Sequence, residues 1–219
     1  MTSYQQTEKV IKILQTYLKE HRHPTLRRSH KENNPFKTLI SCLLSLRTQD
    51  KNTEIASKNL FEIADTPEEI SKLPIKKLEK LIYSSGYYKN KAKTLKHVSK
   101  VILKKYNGKV PEDINELLSI KGIGRKTATI TMVFGFGKTD FIPVDVHVHV
   151  IANRLGWVKT KTPEQTELEL MKVVPKKYWF EINTLFVLFG KEICITISPW
   201  CSKCPISKYC PRIGVTRSR

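Results

Sequence analysis

Helix-start signals recur along this chain while strand signals are few, and this pattern restricts the fold class more than any other feature. Asn34 precedes Pro35 as a capping residue precedes the first residue of a helix. The segments TPEE at 66–69 and TPEQ at 162–165 both match a capping box with proline just inside the helix start. We therefore predict an all-α protein of about ten helices.

Apolar residues at helical spacing support that prediction. One stripe lies within residues 10–18 and another within 92–106, where the pattern ends in Asn107-Gly108, a common helix-stop signal. Residues 178–189 are so apolar that they predict a buried helix. The C-terminal residues lose helical periodicity, which predicts a loop-rich end held together by something other than apolar packing.

The net charge predicts a polyanionic partner. The 219 residues include 39 Lys and Arg against 20 Asp and Glu, a formal charge of +19. Such a surface attracts nucleic acid and holds it by releasing counterions from the phosphates. The alternative is a solvated, lysine-rich surface of the kind that thermophile proteins favour.

Neither a membrane span nor a secretion signal is expected. A transmembrane helix needs about 18 or more consecutive apolar residues, and the chain has no such run. The first residues, MTSYQQTEKV, lack the basic-then-apolar pattern of a signal peptide. We expect a cytoplasmic, nucleoid-associated protein that binds no membrane and acts as a monomer.

Four of the five cysteines are crowded into the pattern C-x6-C-x2-C-x5-C near the C-terminus. They are Cys194, Cys201, Cys204 and Cys210. Four thiolates this close can hold a tetrahedral zinc ion or a [4Fe–4S] cluster. Zinc ribbons usually use two separated C-x2-C pairs, so the spacing favours the cluster, and two disulfides are the least favoured alternative in a reducing compartment. Cys42 lies between apolar residues and is interpreted as a buried small hydrophobe.

The stretch KGIGRKTA at 121–128 predicts a tight turn between two helices. Gly122 and Gly124 allow a turn that other residues resist. The amides of the turn and of the first helical residues then lack intrahelical partners, so they can bind one backbone phosphate without reading sequence. Arg125 and Lys126 follow the turn, and a helical hairpin with merely solvated cations is the alternative interpretation.

Asp145 follows Lys126 by 19 residues and begins another predicted helix. A capping role explains this aspartate without any catalysis. A returning loop could instead bring its carboxylate to Lys126, which would place an amine nucleophile beside an acid. His147 and His149 are two residues apart and diverge by about 200° on a helix, so they cannot form one metal site by themselves.

These motifs together resemble the endonuclease III family of DNA base-excision glycosylases. The resemblance depends on LLSIKGIGRKTA, VDVHV and the cysteine pattern in that order, with weaker similarity from about Asn34 to Pro211. It implies two α-helical lobes. One is a six-helix bundle at 28–139 containing a helix-hairpin-helix at 117–135, and the other joins 1–27 to 140–219 and holds a [4Fe–4S] cluster in the loop 194–210.

The resemblance also implies an activity and its residues. Lys126 is expected to attack C1′ of a damaged nucleoside with help from Asp145, so that the base leaves and β-elimination cuts the strand 3′ to the abasic site. Oxidised pyrimidines in double-stranded DNA are the implied substrates. Gly122, Gly124 and Arg125 are expected to bind the DNA backbone.

The chain departs from the family where the flipped base leaves a gap. Arg47 stands where bacterial members usually have a glutamine, so Arg47 or the nearby Gln49 is predicted to fill the gap. Tyr87 stands where a leucine wedge is common, and an aromatic ring there can stack in the opened duplex. The alternatives are a mismatch-specific glycosylase of the same fold and a non-catalytic DNA-binding protein with a structural metal.

Overall fold

The computed structural model describes residues 3–20 and 34–219, and the regular structure in these ranges is helical. Eleven α-helices and no strand occur in these described ranges, which confirms the predicted all-α class. Their bounds are α1 Ser3–Glu20, α2 Pro35–Ser45, α3 Asp50–Phe61, α4 Pro67–Lys72, α5 Ile75–Leu81, α6 Tyr88–Lys105, α7 Ile114–Ser119, α8 Arg125–Ile130, α9 Val146–Arg154, α10 Pro163–Val173 and α11 Trp179–Glu192.

The predicted helix starts occur where the sequence places them. Asn34 caps α2 by accepting a hydrogen bond from the amide of Lys37 at 3.0 Å. Thr66 and Glu69 form a complete capping box at α4. The second predicted box is only half formed: Thr162 caps α10, but the side-chain oxygen of Gln165 accepts from Lys161 N at 3.0 Å, one residue further back than predicted.

The described residues divide into two compact units. The terminal unit consists of α1 and Lys138–Arg219, and the central unit consists of residues 34–137. The predicted boundary between 27 and 28 lies outside the described residues. Among the described helices, none has the length and hydropathy needed to cross a membrane.

Over its described residues, 34–137, the central unit contains α2 to α8, and the six-helix bundle at 28–139 stays a prediction. Pro74 separates the short helices α4 and α5. Leu73, the residue before the proline, is extended with ψ 133°, because the proline ring disfavours helical backbone there. Helix α6 packs on both α4 and α5, and its stripe at Ala92, Leu95 and Val98 is fully buried.

The terminal unit is built around one apolar core. Helix α11 packs against α1 and α9, and Phe186 and Phe189 are among its largest fully buried side chains. The apolar face of α1 is buried here as the sequence predicts. The C-terminal residues 193–219 contain only two single turns of 3-10 helix, Cys201–Lys203 and Ser207–Tyr209, in agreement with the predicted loss of helical periodicity.

Candidate functional site

The glycine turn at 122–124 joins α7 to α8. Gly122 has φ +102°, and a Cβ added there would approach Thr94 Cγ2 of α6 to 2.7 Å. This position therefore requires glycine for its conformation and for close packing. Gly124 differs from the prediction, because its φ of −95° is accessible to any residue, and a Cβ there would meet no protein atom within 4 Å.

Lys126 is the second residue of α8 and is half-buried. The next two residues, Thr127 and Ala128, are buried, so they anchor this turn of the helix in the central unit. Beneath it lies Cys42, whose Sγ is 3.7 Å from Thr127 Oγ1. Burial raises the pKa of the Cys42 thiol although the nearby Lys126 charge opposes the rise. Cys42 is buried as predicted.

Asp145 caps α9 in the terminal unit. Its Oδ1 accepts a hydrogen bond from Val148 N at 3.0 Å, and its carbonyl oxygen accepts from His149 N. The capping role is therefore real, and it engages one of the two carboxylate oxygens. His149 is itself engaged, since its Nδ1 lies 2.7 Å from Thr166 Oγ1. Lys126 and Asp145 belong to different units, and their pairing stays a prediction.

The structure brings two predicted DNA contacts, Arg47 and Tyr87, close together. Arg47 is exposed in the loop after α2, and Tyr87 is 64% exposed just before α6. The guanidinium carbon of Arg47 lies 6.0 Å from the centre of the Tyr87 ring. Gln49, the third candidate, is exposed at the start of α3 and makes no side-chain capping bond.

Sequence reasoning missed Lys91, a buried lysine beneath these loops. It is only 8% exposed, and its ammonium donates to Leu44 O, Thr48 Oγ1 and Ser85 Oγ at 2.6, 2.7 and 2.8 Å. Its position in the sequence carried a signal, because Lys91 precedes Leu95 by four residues and so lies in the register of the apolar stripe of α6. A lysine in a core register is expected to have polar partners.

The four clustered cysteines line one cavity of about 20 Å³ in the terminal unit, and all four are free thiols. Burial raises the pKa of the thiols of Cys194, Cys204 and Cys210, and that of Cys204 rises to about 11. Repulsion between the negative charges of neighbouring thiolates raises these pKa values further. Several thiolates in one place therefore need a cation to compensate them.

Arg154 is a cation in direct contact with the cysteines. This buried arginine donates from one guanidinium nitrogen to Cys194 Sγ at 3.3 Å and to Ile195 O at 2.9 Å, and from the other to Thr196 O at 2.6 Å. Cys210 Sγ in turn donates to Arg154 O at 3.4 Å. The arginine thus connects the first cysteine, the last cysteine and the loop between them.

The donor set fits a thiolate-bound metal centre by its chemistry. Soft thiolate ligands suit iron–sulfur clusters and zinc. Over the ranges 3–20 and 34–219, no three His, Cys, Asp or Glu side chains are arranged so that they could hold a metal ion directly. The observation that supports a centre is therefore four free thiols around one cavity.

Comparison with known proteins defines the class of protein to which this fold and site belong. Residues 40–176 match the model of the HhH-GPD superfamily base excision DNA repair proteins. The chain is 48% identical to Endonuclease III of Thermotoga maritima over 183 residues, covering 84% of this chain and 85% of that protein. The chain therefore belongs to the HhH-GPD superfamily of base excision DNA repair proteins and, within it, to the endonuclease III family.

Solved structures of endonuclease III have the same fold. A trapped endonuclease III–DNA covalent intermediate is 32% identical, with a TM-score of 0.80 over 94% of this chain and 96% of that chain. A non-covalent endonuclease III–DNA complex is also 32% identical, with a TM-score of 0.81 over 94% and 95% of the two chains. The family assignment is thus supported by sequence and by fold.

Proposed function

We propose that this protein is a bifunctional DNA glycosylase and abasic-site lyase of base excision repair. The observation that carries the proposal is the position of Lys126 in a chain of the endonuclease III family. Lys126 carries an amine and is the second residue of the helix that follows the Gly122 turn. Relatives solved with DNA include a trapped covalent intermediate, which is the kind of species an amine nucleophile forms.

In the proposed reaction, Lys126 Nζ forms a bond to C1′ of the damaged nucleoside while the bond from C1′ to the base breaks. The departing base takes up a proton. The sugar opens to a Schiff base with the lysine, and the positive iminium acidifies the C2′ proton. Loss of that proton breaks the C3′–O bond, and water then releases the lysine. A hydroxyl nucleophile could complete only the first of these steps.

Asp145 is proposed to assist the first step. As the base departs, positive charge develops on the sugar, and a carboxylate placed nearby stabilises it. One oxygen of Asp145 caps α9, which fixes the orientation of the carboxyl group and leaves the other oxygen for this role. Fixed orientation matters because a preorganised charge costs no rearrangement during the reaction.

The glycine turn is proposed to bind the DNA backbone. Gly124 leaves open space where any other residue would carry a Cβ, so a phosphate oxygen can approach the backbone closely. Arg125 adds a cation beside it, and the net charge of +19 supplies long-range attraction to the duplex. Arg47 or Gln49 is proposed to fill the gap left by the extruded base, and Tyr87 is proposed to stack in the opened duplex. Oxidised pyrimidines are the proposed substrates.

The four cysteines at 194–210 are proposed to hold a [4Fe–4S] cluster. Their thiolates would supply its four ligands, and Arg154 would donate a hydrogen bond to the sulfur of Cys194. A cluster bound there cross-links residues that have little regular structure of their own. We further propose that the protein acts as a monomer on chromosomal DNA in the cytoplasm.

Borohydride trapping tests the proposed nucleophile. Reduction of the Schiff base should give a stable covalent complex of the wild-type protein with abasic duplex DNA, and Lys126→Gln should give none. Lys121→Gln is the matched control, since it removes an exposed lysine from the same turn. Trapping that persists in Lys126→Gln would refute the assignment. Tight binding without any trapping in the wild type would instead favour a non-catalytic DNA-binding protein.

A further inference from the structure

Lys91 is a buried cation with neutral partners. Its three hydrogen bonds, to Leu44 O, Thr48 Oγ1 and Ser85 Oγ, use all three donors of an ammonium group. None of these acceptors is a carboxylate, and burial lowers the pKa of Lys91 to about 8. A buried charge held by neutral oxygens costs stability, so stabilisation alone does not account for Lys91.

The acceptors come from two separate loops. Leu44 and Thr48 belong to the end of α2 and the loop that follows it, whereas Ser85 belongs to the loop before α6. The two loops also meet directly: Ser85 Oγ donates to Leu44 O at 2.9 Å, and Gly86 N donates to Thr48 Oγ1 at 3.0 Å. The Lys91 ammonium is the charged donor shared by both loops.

Each loop carries one predicted DNA contact within two residues of its bond to Lys91. Arg47 directly precedes Thr48, and Tyr87 lies two residues after Ser85. Both Arg47 and Tyr87 have left-handed backbone conformations, with φ of 51° and 58°. Such backbone conformations are energetically costly for residues other than glycine, and they persist where surrounding contacts enforce them. The backbones are also pressed together, since a Cβ on Gly86 would approach Arg47 O to 2.8 Å.

We propose that Lys91 is a positioning residue for base extrusion, which joins the two loops so that Arg47 and Tyr87 enter the duplex together. This inference rests on the proposed glycosylase function. The contribution of Lys91 is to base extrusion. Extrusion requires the free energy of unstacking the base, and it leaves a gap in the duplex that protein side chains fill. An abasic site has no base to extrude, so strand cleavage there depends less on the two loops.

The test compares Lys91→Met with Lys93→Met in the full-length protein. Both changes remove one positive charge from α6 and keep a similar side-chain length, but Lys93 is exposed. We expect Lys91→Met to slow single-turnover removal of a thymine glycol base by about 10–100-fold, as small displacements of positioning groups do. Cleavage of a pre-formed abasic site should fall no more than about threefold, and Lys93→Met should match the wild type in both reactions.

A second measurement does not depend on catalysis. A 2-aminopurine base opposite a stable abasic analogue reports insertion of protein groups into the gap by its fluorescence. Lys91→Met should lose most of the change that the wild type gives at saturating protein. Lys91→Arg, which keeps a charge and several donors, should restore it in part. Thermal unfolding of each variant verifies that it is folded, and if Lys91→Met does not fold, Thr48→Ala removes one acceptor and supplies the same comparison.

The outcomes separate this inference from the proposed function. Equal slowing of base removal and abasic-site cleavage in Lys91→Met would overturn the positioning role, because it would indicate general damage. A variant that matches the wild type in both reactions and in fluorescence would overturn it too. If the wild type itself removes no base and traps no abasic DNA, the proposed function fails, whereas the fluorescence comparison still tests whether Lys91 orders the two loops.

Discussion

Asp145 is a single side chain that can serve both as a helix cap and in catalysis. Its Oδ1 caps α9, and asparagine caps a helix about as well as aspartate. We expect Asp145→Asn to change the stability by less than about 1 kcal/mol but to slow base removal about 100-fold or more, because the charge that stabilises the transition state is lost. Single-turnover kinetics and thermal unfolding measure the two effects.

The matched control for Asp145→Asn is Asp140→Asn. It removes the same charge five residues earlier, from a carboxylate that is exposed and paired with Lys176 at 2.8 Å. We expect this variant to remove bases at the wild-type rate. If Asp145→Asn also turned over at that rate, Asp145 would be a helix cap only.

The two glycines of the hairpin differ in backbone conformation and in the space available for a Cβ, and the consequences for stability can be measured. Gly122→Ala places a Cβ against Thr94 and forces φ +102° on alanine, so we expect it to destabilise the protein by about 1–3 kcal/mol. Gly124→Ala meets no protein atom, so its stability should stay within about 0.5 kcal/mol of the wild type.

Gly124→Ala is expected to change DNA affinity rather than stability. The added methyl group of Gly124→Ala occupies the open space that the proposal reserves for a phosphate oxygen, so this variant should bind duplex DNA more weakly. Chemical unfolding and DNA titration at one salt concentration measure both properties. Unchanged affinity in Gly124→Ala would mean that the backbone at this position does not contact DNA.

Glu8 of helix α1 has three hydrogen-bonding or ion-pair partners, two of them outside the helix. Glu8 Oε1 accepts from Lys177 Nζ at 2.9 Å and from Tyr178 OH at 2.9 Å, and Lys12 Nζ lies 3.1 Å away. These hydrogen bonds, with that of Lys177 the largest, lower the pKa of Glu8 from 4.5 to about 2. Between these two values the unfolded chain binds more protons than the folded one, so stability falls as the pH falls.

We therefore expect the wild type to lose thermal stability between pH 4.5 and pH 2 more steeply than Glu8→Gln does. The reason is that the variant has no proton to bind at this position. Glu20→Gln, an exposed change at the other end of α1, should keep the wild-type slope. Parallel pH profiles for the wild type and Glu8→Gln would contradict the role assigned to this carboxylate.

The stability of the whole protein should depend on a group bound by the cysteine loop at 194–210. If the four thiolates hold an iron–sulfur cluster, the purified protein should contain iron and absorb broadly in the visible range. Cys204→Ala should lose the absorbance and unfold at a lower temperature, because residues 193–219 contain little regular structure of their own. Cys42→Ala, which lies outside the cavity, should keep the absorbance. A colourless protein with one zinc ion would identify a different metal centre.

Several features were predictable because their causes are local. Asn34 and Thr66 begin helices through bonds to residues three positions away, and the hairpin turn needs glycine at 122 by its own conformation. Such signals are readable from a few consecutive residues. They were sufficient for the all-α class, the hairpin and, with the cysteine spacing, the resemblance to the endonuclease III family.

Other features were decided only by the tertiary structure. The acceptors of Lys91 at 44 and 48 lie 47 and 43 residues away in the chain, and Arg154 reaches the cysteine loop from 40 residues away. No local pattern encodes such pairs, because burial of a charge is compensated by whichever groups the packed chain brings to it. Local sequence signals therefore specify the helices and the residue types of the site, whereas the packing of those helices specifies which polar groups are buried together.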